Sequence, residues 1–235
     1  MKHKQGLYVA VSGMLACTAA SVIAGVCVDE GPDRVEAPLE VQLTRIGTLV
    51  PRAVPDPQDD QWMIGCEVLD RDFAKFAAYK DFLPKLGIRS IRLQGGWAKC
   101  EREKGKYDFA WLDESVDFAL SHGLNPVLET DYGNPIYKGG GGRDLAAGFP
   151  RGEEGLAAWD RWVDALSKHF KGRVRDWAMW NEPDIGNPAD TAAVGGHHTP
   201  ANIAAFNVRT AKAILRNIPD ARIAGLSLAT NDPTF

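Results

Sequence analysis

From Gln61 onward the hydrophobic positions change period repeatedly. Short apolar runs alternate with longer stretches in which apolar residues recur every three or four positions. The runs predict buried strands and the helical spacing predicts amphipathic helices. Trp62–Glu67 is expected as the first strand. Asp70 or Asp72 then caps a helix with the apolar face Phe73, Phe76, Ala77, Phe82, Leu83 and Leu86, closed by Gly87 as a left-handed C-cap. Ile88–Leu93 is the second strand, and a loop through Trp97 and Tyr107 leads to a helix from Phe109 to Ser121 that ends at Gly123. Asn125–Thr130 is the third strand. Leu156, Trp159, Val163, Leu166 and Phe170 mark the next helix, ending near Gly172, and the same spacing assigns Trp159 and Trp162 to core or helix surface. Val174–Met179 is the fourth strand. Thr199 is an N-cap with Pro200 at the first helical position; that helix shows Ile203, Phe206, Ile214 and Leu215 and stops before Pro219. Ala221–Leu228 is the fifth strand.

Strand–helix alternation specifies a parallel sheet with helices packed outside it. Doubly wound folds and closed barrels share that pattern, so the loops must discriminate. No Gly-rich phosphate turn follows the first strand, and Gly139–Gly142 lacks the Gly-Lys-Ser/Thr ending of a phosphate loop. That run is expected as a flexible loop. Polar and aromatic residues follow nearly every strand, as the catalytic face of a barrel requires. The expected fold is α/β, a (β/α)8 barrel of which this chain supplies the first five strands and four helices. A complete barrel takes about 250 residues, so three βα units are expected beyond Phe235.

The N-terminal segment has a different character. Met1–Gln5 is basic, and Gly6–Val26 is apolar and uncharged, the pattern of a secretory signal. Val22-Ile23-Ala24 offers a cleavage site, and Leu15-Ala16-Cys17 resembles the end of a lipoprotein box, which would place a lipid anchor at Cys17. A retained membrane anchor is the competing reading, disfavoured because Gly, Ser and Thr dilute the run. Residues 28–60 are rich in Pro, Asp and Glu and read as a linker or N-terminal extension, with a short edge strand over Leu39–Leu43. The expected division is therefore a signal peptide over 1–27, the extension over 28–60 and the barrel portion over 61–235, in a protein exported to the periplasm, the cell surface or the medium.

Lys and Arg number 27 against 31 Asp and Glu, a net charge of -4. This even, mildly acidic balance argues against a nucleic-acid partner. Cys66 and Cys100 are expected as isolated buried thiols, although export would permit a disulfide. The chain has no CxxC pair, and His197 and His198 are adjacent and do not converge on a metal. No cofactor is expected.

The run Trp180-Asn181-Glu182-Pro183-Asp184 carries the chemistry. It delivers Glu182 at the C-terminal end of the fourth strand, where a barrel builds its active site. A carboxyl group there is a candidate proton donor and acceptor for glycoside cleavage. Asn, Pro and Asp also favour simple turns, but strand position and flanking elements agree on the catalytic reading. Asn181 is a neutral amide able to hold a sugar hydroxyl, and Trp180 lies beside it. Trp97, after the second strand, either stacks on a sugar face or packs on the rim. Glu129, Asp131, Tyr132 and Asn134, after the third strand, could ligate hydroxyls, while Asn134-Pro135 also fits a turn. Arg92 ends the second strand, as a site residue or as half of a stabilising ion pair.

Four segments recur in a known order: Leu86-Gly87-Ile88-Arg89 through Leu93, Lys104–Phe109, Gly123–Leu128, and Trp180-Asn181-Glu182-Pro183. Together they resemble the N-terminal half of a clan A glycoside hydrolase, nearest to family 39 xylosidases and iduronidases or family 5 glycanases. The resemblance covers Gln61 to Phe235, and the Asn-Glu-Pro at the end of strand four is its specific part. It implies a retaining O-glycoside hydrolase acting on a poly- or oligosaccharide. Glu182 would be the general acid/base, Asn181 would bind the sugar 2-hydroxyl, and Arg92 would orient the nucleophile. That nucleophile would be a second Glu at the end of a seventh strand, expected beyond Phe235. The alternative is a non-catalytic or degenerate carbohydrate-binding remnant. A partial barrel exposes unpaired edges, so residues 28–235 alone are expected to be poorly soluble or oligomeric.

Overall fold

Five parallel strands lie side by side in the order in which the chain makes them: β1 Met63–Gly65, β2 Ser90–Gln94, β3 Asn125–Glu129, β4 Asp176–Ala178 and β5 Arg222–Ala224. The computed structural model describes residues 22–23, 26–27, 47, 50–56, 62–144, 148–185, 199–225 and 227–229. Gly65, Arg92, Val127, Asp176 and Arg222 form one cross-strand row, and Gln94, Glu129, Ala178 and Ala224 another. A doubly wound sheet reverses its strand order at a switch point. This sheet does not, so its order is that of a partial barrel.

The two faces of the sheet differ. Ile91, Leu93, Leu128 and Trp177 are at most 1 % exposed and join one core with Leu112, Val116, Trp159 and Val163 of the helices. The other face is polar. Asn125 donates to Ser90 Oγ at 3.3 Å and to Asp176 Oδ2 at 2.6 Å, and Arg222 makes a two-pronged ion pair with Asp176. The two-residue alternation of a strand thus separates a helix-facing apolar layer from an inner polar layer.

Among the described residues the α-helices are α1 Trp97–Cys100, α2 Ala110–Ser121, α3 Gly152–His169 and α4 Pro200–Asn217. Trp159, Val163, Leu166 and Phe170 are fully buried, as their spacing predicts. Thr199 caps α4 by accepting from Asn202 N–H at 3.2 Å, with Pro200 at the first turn. Leu215, assigned to the apolar face of that helix, is 38 % exposed. Trp159 Nε1 donates to Thr210 Oγ1 at 2.9 Å, joining α3 to α4.

The first expected helix takes another form. Phe76–Ala78 and Lys80–Lys85 are short 3-10 segments, and Phe73 is 79 % exposed. Pro84 lies inside the second segment. It has no N–H and its ring collides with the carbonyl four residues back, so an α-helix cannot run through it. Gly87 still closes the segment at φ +66, as expected.

The extension is tied to this point, because Arg52 N–H donates to the Lys85 carbonyl at 2.8 Å and the Arg52 carbonyl accepts from Gly87 N–H at 3.1 Å. Val22–Ile23 and Val26–Cys27 pair as a separate two-stranded antiparallel sheet. The remainder of residues 1–27 and the Leu39–Leu43 stretch lie outside the described residues. Among the described residues, no helix is long and apolar enough to cross a membrane.

Cys66 and Cys100 are free and buried, and burial pushes both thiols up to about 12. The Gly139–Gly142 run, expected to be flexible, packs tightly. Gly140 O accepts from Asn134 N–H at 2.8 Å, Gly139 O accepts from Arg151 N–H at 2.7 Å, and Gly155 of α3 sits against Gly139 with no room for a Cβ. Glycines are needed here because backbones meet, not because the loop moves.

Candidate active site

The C-terminal ends of the strands bring one polar cluster together on the inner face. Glu67 follows β1, Arg92 and Gln94 end β2, and Glu129 ends β3 with Asp131 and Tyr132 behind it. Asn181 and Glu182 follow β4, where Asn181 bridges to Ser227 and Glu182 N–H donates to the Ser227 carbonyl at 2.8 Å. Glu182 has φ +49, the left-handed region that a non-glycine residue seldom occupies. Such a conformation persists only where the surroundings impose it, and such residues cluster at functional sites. Ile185 N–H closes a turn on the Glu182 carbonyl at 3.1 Å. The motif is therefore a turn as well, and the turn is what presents the carboxylate.

Arg92 is the hub of the cluster. Its Nε donates to Glu67 Oε1 at 2.9 Å and its Nη2 contacts the same oxygen. Nη2 also reaches Asn181 Oδ1 at 3.2 Å, and Nη1 lies 3.6 Å from Glu129 Oε1. Asn181 Nδ2 donates to Tyr132 Oη at 3.0 Å, and its backbone N–H donates to Asp131 Oδ2 at 3.3 Å. Gln94 Nε2 donates to Tyr132 Oη at 3.3 Å.

Charge is crowded here. Burial pushes Glu129 up to about 8; Arg92 opposes the rise, and the charges of Glu67, Asp70 and Glu182 add to it. Asp131 is completely buried and is pushed well above the usual carboxylate range, first by burial and then by Glu129 and Asp70. A charge removed from water costs free energy unless paired, so these two acids favour their neutral forms.

A family model for glycoside hydrolase 42, described as "Beta-galactosidase", matches residues 69–136. The β-galactosidase BgaH of Haloferax lucentense is 37% identical over 54 residues, 23% of this chain and 8% of that protein. A family 39 glycoside hydrolase from Bacteroides cellulosilyticus superposes with TM-score 0.55 at 20% identity, over 75% of this chain and 33% of that one. A monomeric β-xylosidase from Caulobacter crescentus gives 0.54 at 22% identity, over 76% and 38%.

The chain resembles the clan A glycoside hydrolases. It spans about a third of the length of these solved structures. Among families, 39 was expected and appears among the solved structures, while the sequence model that matches is family 42. The sheet order and the strand-end placement of Glu182 both suit a clan A barrel.

Several expected sugar contacts have other roles. Trp97 is fully buried; it stacks on Tyr137 at 5.6 Å and on Trp162 at 6.3 Å, and donates from Nε1 to Glu101 at 2.5 Å. Trp180 is 1 % exposed and packs against Phe149, Tyr132, Trp159 and Phe206. Both are core residues, because a large aromatic surface gains more from burial behind the strands than from the rim. Asn134 is also buried: Nδ2 donates to the Glu101 carbonyl at 2.8 Å and Oδ1 accepts from Ile136 N–H at 3.2 Å. It builds its own turn. Glu129 and Tyr132 join the cluster, but Glu129 faces Arg92 and the Tyr132 hydroxyl faces Asn181. Gln94 and Glu67 were not anticipated. Gln94 could have been found from strand period alone, since it stands two residues beyond Arg92 and shares its face.

Proposed function

We propose that this chain is the N-terminal part of a retaining O-glycoside hydrolase acting on a poly- or oligosaccharide. Glu182 is its general acid/base: its carboxylic acid protonates the departing glycosidic oxygen, and the resulting carboxylate then takes a proton from the water that completes hydrolysis. Asn181 hydrogen-bonds the sugar 2-hydroxyl, a contact that strengthens in the transition state. Arg92 orients the nucleophile, a second carboxylate about 5–5.5 Å from Glu182 in retaining enzymes; no residue described here is assigned that role. The protein is exported through its N-terminal signal, and its reaction uses no cofactor.

The observation that carries this reading is the imposed left-handed backbone at Glu182, pinned to Ser227 and flanked by an Asn181 amide held on both sides. The family matched is described as a β-galactosidase and a structural neighbour is a β-xylosidase. Aryl β-galactosides and β-xylosides are therefore the first substrates to assay in the complete protein. Glu182→Gln should lower kcat/KM, which reports the acid-assisted first step alone, by about 10²–10⁴-fold on a substrate with a poor leaving group. The loss should be much smaller with a dinitrophenyl leaving group, which departs without a proton. Equal losses on both would remove Glu182 from the acid role. Sugar binding without turnover by the parent protein would support the carbohydrate-binding remnant instead.

A further inference from the structure

Hydrogen-bond polarity across the strand ends is fixed from both sides. At one end, Gln94 Oε1 accepts from Val68 N–H at 3.0 Å and from Arg71 Nη2 at 2.9 Å. Both partners only donate, so the Gln94 amide must present its NH2 group to Tyr132. At the other end, Arg92 can only donate, so Asn181 must turn Oδ1 toward it and Nδ2 toward Tyr132. The Tyr132 hydroxyl is where these two donors meet. It has two acceptor sites and both are filled.

We infer that Gln94 and Tyr132 are positioning residues that lock the amide of Asn181 in the one orientation that leaves it ready for a substrate hydroxyl. The inference rests on the glycosidase reading above and assigns Tyr132 to Asn181 rather than to the sugar. The chain of contacts runs Val68–Gln94–Tyr132–Asn181–Arg92–Glu67 and joins the ends of β1, β2, β3 and β4. Tyr132 is 2 % exposed and its ring is fixed by Trp180 at 5.4 Å and by the Arg71 guanidinium at 5.0 Å. Its oxygen therefore cannot follow a wandering amide. Without that oxygen, Asn181 would be held by Arg92 alone, and its NH2 group could swing away. Gln94 acts one step earlier: by donating to Tyr132 Oη, its NH2 group holds the phenol oxygen where Asn181 Nδ2 meets it.

The test compares Tyr132→Phe and Gln94→Leu in the complete protein, on whichever aryl glycoside the parent cleaves and on its 2-deoxy counterpart. Misplacement of one contact group should lower kcat about tenfold for Tyr132→Phe, and less for Gln94→Leu, with KM changed little. The drop should largely vanish on the 2-deoxy substrate, which offers Asn181 nothing to hold. Equal drops on both substrates, or no drop on either, would overturn the inference. Independently of turnover, the Asn181 side-chain amide signals in an NMR spectrum should shift and broaden in both variants; unchanged signals in either would also overturn it. Glu182→Gln, run alongside, separates the two readings. If it leaves turnover intact, the acid/base assignment fails, whereas the amide signals still judge the positioning of Asn181.

Discussion

Replacing Glu129 by Gln should abolish a specific pH dependence of stability. Glu129 is fully buried, both its carboxylate oxygens lack a hydrogen-bond partner among the described residues, and its nearest cation is Arg92 at 3.6 Å. Burial raises it from 4.5 to about 8. A raised carboxyl group means that the folded state binds the proton more tightly than the unfolded chain. Its stabilising contribution is then complete below about pH 4.5 and is lost as pH rises, until both states are ionised above about pH 8. Between pH 5 and 7 the unfolded chain ionises while the folded protein stays neutral. At about 1.4 kcal/mol per unit, this costs the parent about 2–3 kcal/mol over that interval. Gln mimics the neutral acid in shape and cannot titrate. Urea melts of the parent and Glu129→Gln at pH 5, 6, 7 and 8 read the effect; Asp70 and Asp131 are raised in the same direction, and since Glu129 contributes to the rise of Asp131, the difference between the two proteins belongs to the Glu129–Asp131 pair. The parent should lose about 2–3 kcal/mol relative to the variant from pH 5 to pH 7. Parallel curves would refute the claim that burial keeps Glu129 neutral.

Other outcomes follow from packing and satisfaction of polar groups. Glu101 is fully buried and accepts from Trp97 Nε1, Gly105 N–H and the Tyr137 hydroxyl, each at 2.5 Å. Glu101→Ala strands those three donors and should cost about 3 kcal/mol or more in urea melts; a loss below about 1 kcal/mol would show that water replaces the carboxylate. A Cβ at Gly155 would lie 2.1 Å from the Gly139 carbonyl oxygen, so Gly155→Ala should lower stability by about 2–3 kcal/mol. An unchanged midpoint would mean that the glycine loop yields. Cys66 and Cys100, held near 12 by burial, should resist alkylation at pH 7.5 in the folded protein and react once it is unfolded. Equal labelling of their peptides in both states would contradict that burial.

The strand–helix order was legible from the sequence because apolar spacing reports local geometry directly. The two helices with strong periodicity, α3 and α4, lie where their patterns put them. The segment around Pro84 misled because apolar spacing outvoted a residue that cannot donate. The position of Glu182 at a strand end was equally local. By contrast, the fates of the aromatic and polar loop residues were not. Trp97, Trp180 and Asn134 look like sugar contacts in a linear reading, since they follow strands and carry polar or aromatic groups. Which way each points depends on partners tens of positions away, such as Tyr137 for Trp97, Tyr132 for Trp180 and Glu101 for Asn134.

The sequence by itself determined the alternation of strands and helices, the strand-end carboxylate and the arginine two strands before it. Only the tertiary structure decided that the sheet keeps its sequential order, that the tryptophans are core, and that Gln94 and Tyr132 hold Asn181. The physical reason is range. Backbone periodicity and turn chemistry act over a few residues, whereas burial, like-charge crowding and hydrogen-bond polarity are properties of groups brought together from β1 to β4.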